Sequence, residues 1–409
     1  MKKNILFVLH TLPWPLEYGG NQAMFNGIYA LKDVANVYVT YPEWLKDTKQ
    51  KAREEMIEEL GGNIQIFPYI RKRDYSSPRK IVKNLFKIVD NHFFRKDKDF
   101  IFEGELSINQ VPQEHIDLIN EIIKTYHIDI VQVEIITQLS VVNSLPDEVR
   151  KVFVQEEIGY VRKEQLLDIM HGNSYYRSVA ECSKIQEIGL MNKYDDVIVF
   201  SEADKKKLEE AGVTVPVHSS FAIIKAPLEF KPHIEGHKKL CFIGAPEHRP
   251  NYLAMIWFLE NCWNKLLQRD SEYELKIIGN WSKKDAIPIK NKYNNIVFTG
   301  FVEDLGSELE NSIMIVPITV GSGIRMKILE AAANGIPVVS TSIGAEGLPL
   351  INGENAFIAD DADEFVNDVI KLKDRSLRLK FVTALNDVIR KKYSLDALKK
   401  NRMEIFNLK

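Results

Sequence analysis

Short apolar runs recur along the chain at residues 5–9, 37–41, 64–67, 128–133, 152–154 and 197–200. They return at 240–243, 275–278, 296–298, 314–316, 338–340 and 357–359. Each run is near-continuous rather than alternating, the pattern of a strand covered on both faces. The stretches between them read as helices. One begins at Asp204 and is closed by Gly212, a residue that permits the left-handed turn ending a helix. Strand–helix alternation predicts parallel, doubly wound α/β sheets. Between Val213 and Lys239 the alternation lapses. Pro216, Pro227 and Pro232 interrupt a stretch without period, which reads as a linker. The chain therefore divides into a first domain over 1–225, a second over 226–390, and a closing helix over 391–409 placed to return to the first. Two such domains facing each other leave a central cleft at the carboxyl ends of their strands, where ligands of open α/β sheets bind.

Composition narrows the classes. The 409 residues are 45% hydrophobic and 27% charged, enough apolar material for two ordinary cores. A formal net charge of -3 gives no global attraction to nucleic acid. The three cysteines, Cys182, Cys241 and Cys262, are odd in number and lack close spacing, which argues against a disulfide framework or a zinc site and suits a reducing cytoplasm. The opening Met1-Lys2-Lys3 and apolar 5–9 have the start of a leader, but His10, Pro13, Pro15 and Glu17 cut the run short, so a buried first strand is expected.

The densest chemistry follows the run 314–316: Gly321-Ser322-Gly323-Ile324-Arg325-Met326-Lys327-Ile328-Leu329-Glu330. Glycines at a strand-to-helix turn let backbone approach a ligand, and the amides of the helix start favour an anion. Arg325 and Lys327 add full charge suited to a diphosphate, and Glu330 lies where a carboxylate could accept from vicinal hydroxyls. An ordinary amphipathic helix with surface charges is the competing reading. Asp360-Asp361-Ala362-Asp363 suggests a carboxylate metal motif but reads better as a loop and helix cap. His10 stands at the end of the first strand, as either a cleft residue or a structural one.

From Gly300 to Asp361 the chain reads Gly-Phe-Val-Glu-Asp-Leu, then Val-Pro-Ile, then the glycine-rich turn and its helix. Phe242-Ile243-Gly244 and Pro250-Asn251-Tyr252 precede it. This ordered set resembles family four of the retaining glycosyltransferases, the group 1 type. The first half is similar more thinly, through Tyr18-Gly19-Gly20, residues 129–134 and residues 196–204. The resemblance implies the GT-B architecture, two Rossmann-like domains, with a nucleotide sugar held by the second and an acceptor by the first. It implies donor contacts at Gly19, Gly20, Gly244, Arg249, Asn251, Gly279, Phe298, Thr299, Phe301, Gly321, Ser322, Gly323, Ile324 and Glu330, and catalytic roles for Arg325 and Lys327. Glu330 resembles the glutamate at the donor ribose, and 298–301 the segment beside the base. Neither a metal nor another cofactor is implied.

Two positions depart from the family pattern. Ser322 stands where many members carry the first of two glutamates, although a subgroup with a GSGxRxK pattern is similar to this chain. After 152–154, where a histidine is frequent, the chain has Gln155-Glu156-Glu157, and Glu156 could take that place as a catalytic residue. The expected activity is transfer from a UDP- or GDP-sugar to a saccharide or lipid-linked acceptor in cell-surface glycan synthesis. A GT-B epimerase or phosphorylase, and a non-catalytic nucleotide-sugar binder, are the alternatives. The segment opening on Arg71 and closing on Lys98 is basic, with Ile81, Leu85 and Ile88 at near-helical spacing. It reads either as a surface helix for an anionic membrane, which would place the protein on the inner face of the cell membrane, or as a solvated helix of the first domain.

Overall fold

The computed structural model describes residues 2–16, 19–44, 49–61, 64–71, 108, 110–169, 172–224 and 229–408. The basic segment after Arg71 therefore lies outside the described residues. The chain forms two compact units. The first holds Met1–Leu16, Gly27–Ser220 and Lys399–Lys409, and the second holds Glu17–Asn26 and Phe221–Leu398.

In the first unit the described strands are β1 (Lys3–Val8), β2 (Ala35–Trp44), β3 (Ile64–Arg71), β4 (Ile130–Glu134), β5 (Arg150–Gln155), β6 (Asp196–Val199) and β7 (Val217–Ser219). They form one sheet in the order β3-β2-β1-β4-β5-β6-β7, every pairing parallel. The order turns back at β1 and β4, the doubly wound signature. Helices supply both covers. In Gln113–Tyr126, Ile119, Ile122 and Ile123 fall on one face and are buried beside Val131 and Val133 of β4. β7 lies inside the stretch that the sequence presents as a linker. Of its three residues only Val217 is apolar, and Pro216 precedes it, so the run is too short to register as a strand. It pairs with β6 nonetheless, with Val197 N–H donating to the Pro216 carbonyl at 2.9 Å.

In the second unit the strands are β8 (Lys239–Ile243), β9 (Glu274–Ile278), β10 (Ile296–Gly300), β11 (Ile313–Val316), β12 (Val338–Ser340) and β13 (Phe357–Ile358). Their order is β10-β9-β8-β11-β12-β13, again parallel throughout. Met314 and Val338 are fully buried, as expected of strands with helices on both faces. The acidic stretch at 360–363 serves as a cap. Asp361 accepts from the N–H groups of Asp363 and Glu364 at 2.8 and 3.0 Å, starting the helix Ala362–Lys371. Among the described residues, no helix is long and apolar enough to cross a membrane.

Candidate functional site

Three glycine turns leave the carboxyl ends of β8, β9 and β10 side by side. Gly244 N–H donates to the Ile278 carbonyl, and Gly279 N–H to the Gly300 carbonyl, each at 2.9 Å. Gly244 stands at φ +151°, and a Cβ there would lie 2.5 Å from Cγ of Asn251. Only glycine lets the backbone pass so close to that amide. Asn251, in the first turn of the helix Arg249–Phe258, donates from Nδ2 to the Ala245 carbonyl at 3.1 Å. Its Oδ1 is thereby aimed at Lys327, whose Nζ donates to it at 2.8 Å.

Lys327 comes from the neighbouring strand end. After β11 the chain turns through Gly321 and Gly323, at φ 112° and 75°, into the helix Met326–Ala333. Arg325 is the cap residue of that helix and is buried. Its Nη1 donates to the Gly323 carbonyl at 2.8 Å and also to the Ser322 carbonyl. The guanidinium thus braces the turn while carrying its charge beside the helix start. Lys327 lies 4.0 Å above the Phe242 ring. Burial, then the Arg325 charge, pushes its pKa well below the ordinary lysine value. Further along the same helix, burial raises the Glu330 carboxyl to about 7, while a 3.1 Å hydrogen bond from Gln22 Nε2 opposes that rise.

An aromatic group borders these turns. Trp281, two residues after Gly279, donates from Nε1 to the Gly244 carbonyl at 2.8 Å. Its ring centroid lies 5.5 Å from that of Phe298 and 6.1 Å from that of Tyr252. The Arg249 guanidinium lies 4.5 Å from the Tyr252 centroid. Phe301 is 49% exposed, its N–H fixed by Asn280 Oδ1 at 3.1 Å. Thr299 turns its hydroxyl onto the Gly300 carbonyl at 3.1 Å. Trp281 escapes the sequence reading, although its signal is an aromatic side chain directly after a strand-end Gly-Asn turn. In the second unit, then, Gly244, Asn251 and Lys327 are joined through Asn251, while Gly279 and Phe298 meet at Trp281. Gly19 and Gly20 open the helix Gly19–Leu31, whose first residues belong to this unit.

The first unit carries a second polar cluster. Glu134 ends β4, and Glu156 follows β5 directly. Gln155 holds the loop by donating to the Glu157 carbonyl at 2.6 Å and to Glu187 at 2.7 Å. Glu134 accepts from Gln132, and Ile135, a β-branched residue at φ 70°, makes the strained turn that follows. Burial raises Glu134 to about 7 against the pull of Arg402. Burial, then Glu134 and Glu157, raises Glu156 well above the carboxylate range. Arg402, buried in the helix Leu395–Phe406, is itself lowered to about 10 by burial. Its Nε and Nη1, and Oε1 of Glu156, have no hydrogen-bond partner among the described residues. Sequence reading gives roles to neither Glu134 nor Arg402. The available signal is Leu398, Arg402 and Ile405 at helical spacing, an arginine on an apolar face. His10 is half-buried, and desolvation, then the Lys49 charge, lowers its pKa to about 4, so it is neutral near pH 7.

Comparison with known proteins assigns these features a context. Residues 237–375 match the family of glycosyl transferases, group 1. A protein described as an uncharacterized 44.6 kDa protein in the cps region of Klebsiella pneumoniae is 26% identical over 188 residues, covering 44% of this chain and 48% of that protein. The match thus spans about half the length of that relative. Two solved structures share the fold over the whole chain. TarM of S. aureus, in complex with UDP and α-GlcNAc-glycerol among other ligands, aligns with a TM-score of 0.67 at 14% identity, covering 99% of this chain and 100% of that one. HepE of Anabaena in complex with UDP-glucose aligns with a TM-score of 0.64 at 13% identity, covering 99% of each chain.

Proposed function

We propose that this chain, whose residues 237–375 match the group 1 glycosyl transferases and whose two parallel sheets share the GT-B fold, transfers a sugar, with retention, from a UDP- or GDP-sugar to a saccharide or lipid-linked acceptor during synthesis of a cell-surface glycan. The observation that carries this reading is the helix Met326–Ala333, which presents a half-buried lysine, a braced glycine turn and a half-buried carboxylate within two helical turns.

Each group then has work to do. The amides of the helix start and the Lys327 ammonium meet the diphosphate, with Arg325 behind the turn. A lysine whose charge is disfavoured by burial gains most from an arriving anion, so its stabilisation grows as charge develops on the departing diphosphate. Glu330 accepts from the vicinal hydroxyls of the ribose. Phe298, Trp281 and Phe301 suit the base, with Arg249 and Tyr252 beside them. In the first unit, Glu156, Glu134 and Arg402 are the groups we assign to the acceptor side. UDP in the TarM complex and UDP-glucose in the HepE complex support a uridine donor. The cps-region relative supports glycan synthesis.

A calorimetric panel of UDP, GDP and ADP with their sugars tests the donor assignment. One uridine or guanosine series is expected to bind, and Lys327→Met to weaken its diphosphate more than its nucleoside. Equal binding of nucleoside and diphosphate would place the cradle elsewhere.

A further inference from the structure

Three residues at the start of the helix Gly19–Leu31, all within the second unit, make contacts inside that unit. Gly19, Gln22 and Asn26 are three and four residues apart, so they lie on one helical face. At Gly19 an added Cβ would sit 2.8 Å from Cγ of Met326. At Gln22, Nε2 donates to Oε1 of Glu330 at 3.1 Å. At Asn26, Nδ2 donates to the Ile223 carbonyl at 2.8 Å. On the opposing helix, Met326 and Glu330 are themselves four apart and therefore share a face. The two helices thus meet in register, Gly19 at Met326 and Gln22 at Glu330. The missing side chain at Gly19 sets the separation at which the Gln22 amide reaches the carboxylate.

From this register we infer that Gln22 is a positioning residue that holds the Glu330 carboxylate ready for the vicinal hydroxyls of the donor's ribose. The inference rests on the reading of Glu330 as the ribose contact. A partly enclosed carboxylate has two difficulties: burial favours its protonated form, and its plane is free to rotate about the side chain. A fixed N–H donor on one oxygen addresses both, since it favours the ionised form and leaves Oε2 set for an incoming hydroxyl. Burial pushes the Glu330 carboxyl up to about 7, and the Gln22 hydrogen bond pulls the other way. The other groups near Glu330 are few. Lys327 and Arg325 belong to its own helix and cap. The helix Arg375–Lys392 arrives with uncharged Asn386, which donates to the Ala332 carbonyl at 2.9 Å. Gln22 is therefore the polar contact that tunes this carboxyl among the described residues.

The test uses the full chain as wild type, Gln22→Leu, Glu330→Gln and the double variant. Two readouts are followed from about pH 5.5 to 8.5: thermal stability without nucleotide, and calorimetric affinity for UDP and GDP. For the wild type, nucleotide affinity should rise with pH through about 7 as Glu330 ionises. In Gln22→Leu that midpoint should move upward. Affinity at neutral pH should fall about tenfold, and much of it should return at the alkaline end. Stability of Gln22→Leu should fall further above neutral pH than that of the wild type. This pH-dependent part should vanish in the Glu330→Gln background, because a double-variant cycle isolates the pair. An unmoved midpoint with additive stabilities overturns the role of Gln22, while a loss of affinity in Glu330→Gln alone leaves the ribose reading standing. Coupled stabilities with nucleotide affinity unchanged in every variant overturn the ribose reading and this inference with it. A Gln22→Leu defect equally large at all pH values marks a merely structural residue and also overturns it.

Discussion

Two half-buried ionisable groups on one short helix carry opposite tendencies, and each yields a measurable signature. Glu330 ionises at about 7 in the folded chain against an ordinary value of 4.5. The folded state therefore holds the proton more tightly. The stability this confers is present below about 4.5 and is lost as pH rises through about 7. Glu330→Gln should leave stability unchanged near pH 4 and raise it by about 1–3 kcal/mol near pH 8, measured by chemical denaturation. The same variant should weaken nucleotide binding roughly 10–100-fold, the loss of one to two hydrogen bonds to a charged group. A variant that is less stable at both pH values would contradict the burial argument. Lys327 works in the other direction, since burial and Arg325 disfavour its charge. Above about pH 8, where Glu330 is already ionised, diphosphate binding should take up protons as the anion restores that charge. Calorimetry in buffers of different ionisation enthalpy reads the uptake directly, and Lys327→Met should abolish it. That variant keeps an apolar stem of similar length, so it should remain folded while turnover falls roughly 10²–10³-fold.

At the scale of elements, the glycine turns decide the geometry. Gly244→Ala puts a methyl group against Cγ of Asn251, the residue that receives the Lys327 ammonium. We expect a loss of about 1–3 kcal/mol in denaturation and a weaker diphosphate contact. Wild-type stability would mean that the turn relaxes freely. The sequence exposes this element level unevenly, for physical reasons. Strands buried on both faces announce themselves as apolar runs, which is why β1 to β6 and β8 to β13 are legible. β7 is not legible, because two of its three residues are polar and its partner strand supplies the pairing. The turn at 321–323 is legible from its glycines, but the inward fold of Arg325 onto the Ser322 and Gly323 carbonyls is not, since composition cannot show where a guanidinium donates. Trp281 and the Glu134–Arg402 neighbourhood depend on contacts between residues far apart in sequence. Those appear only once the parallel sheets bring the strand ends together.

At the scale of the whole molecule, the chain's last residues belong to its first unit. Arg150 donates to the Ile405 carbonyl at 2.9 Å, Lys3 to the Phe406 carbonyl at 3.2 Å, and Ser220 to Asn401 at 2.6 Å. Deleting 399–409 removes these bonds and also the cation beside Glu134 and Glu156. The melting temperature should fall by several degrees or more near pH 8, and by less near pH 5, where protonated carboxyls need no counter-charge. An equal fall at both pH values would assign the helix a packing role alone. The central claim is that a nucleoside diphosphate sugar is the donor and that the sugar is passed on with retention. Proton NMR of the protein incubated with α-linked UDP- and GDP-sugars, without acceptor, tests it most directly. We predict slow release of nucleoside diphosphate from one series, with free sugar appearing first as the α anomer, and loss of this activity in Lys327→Met. Release of the β anomer first, or no cleavage of any nucleotide sugar that calorimetry shows to bind, would contradict the account.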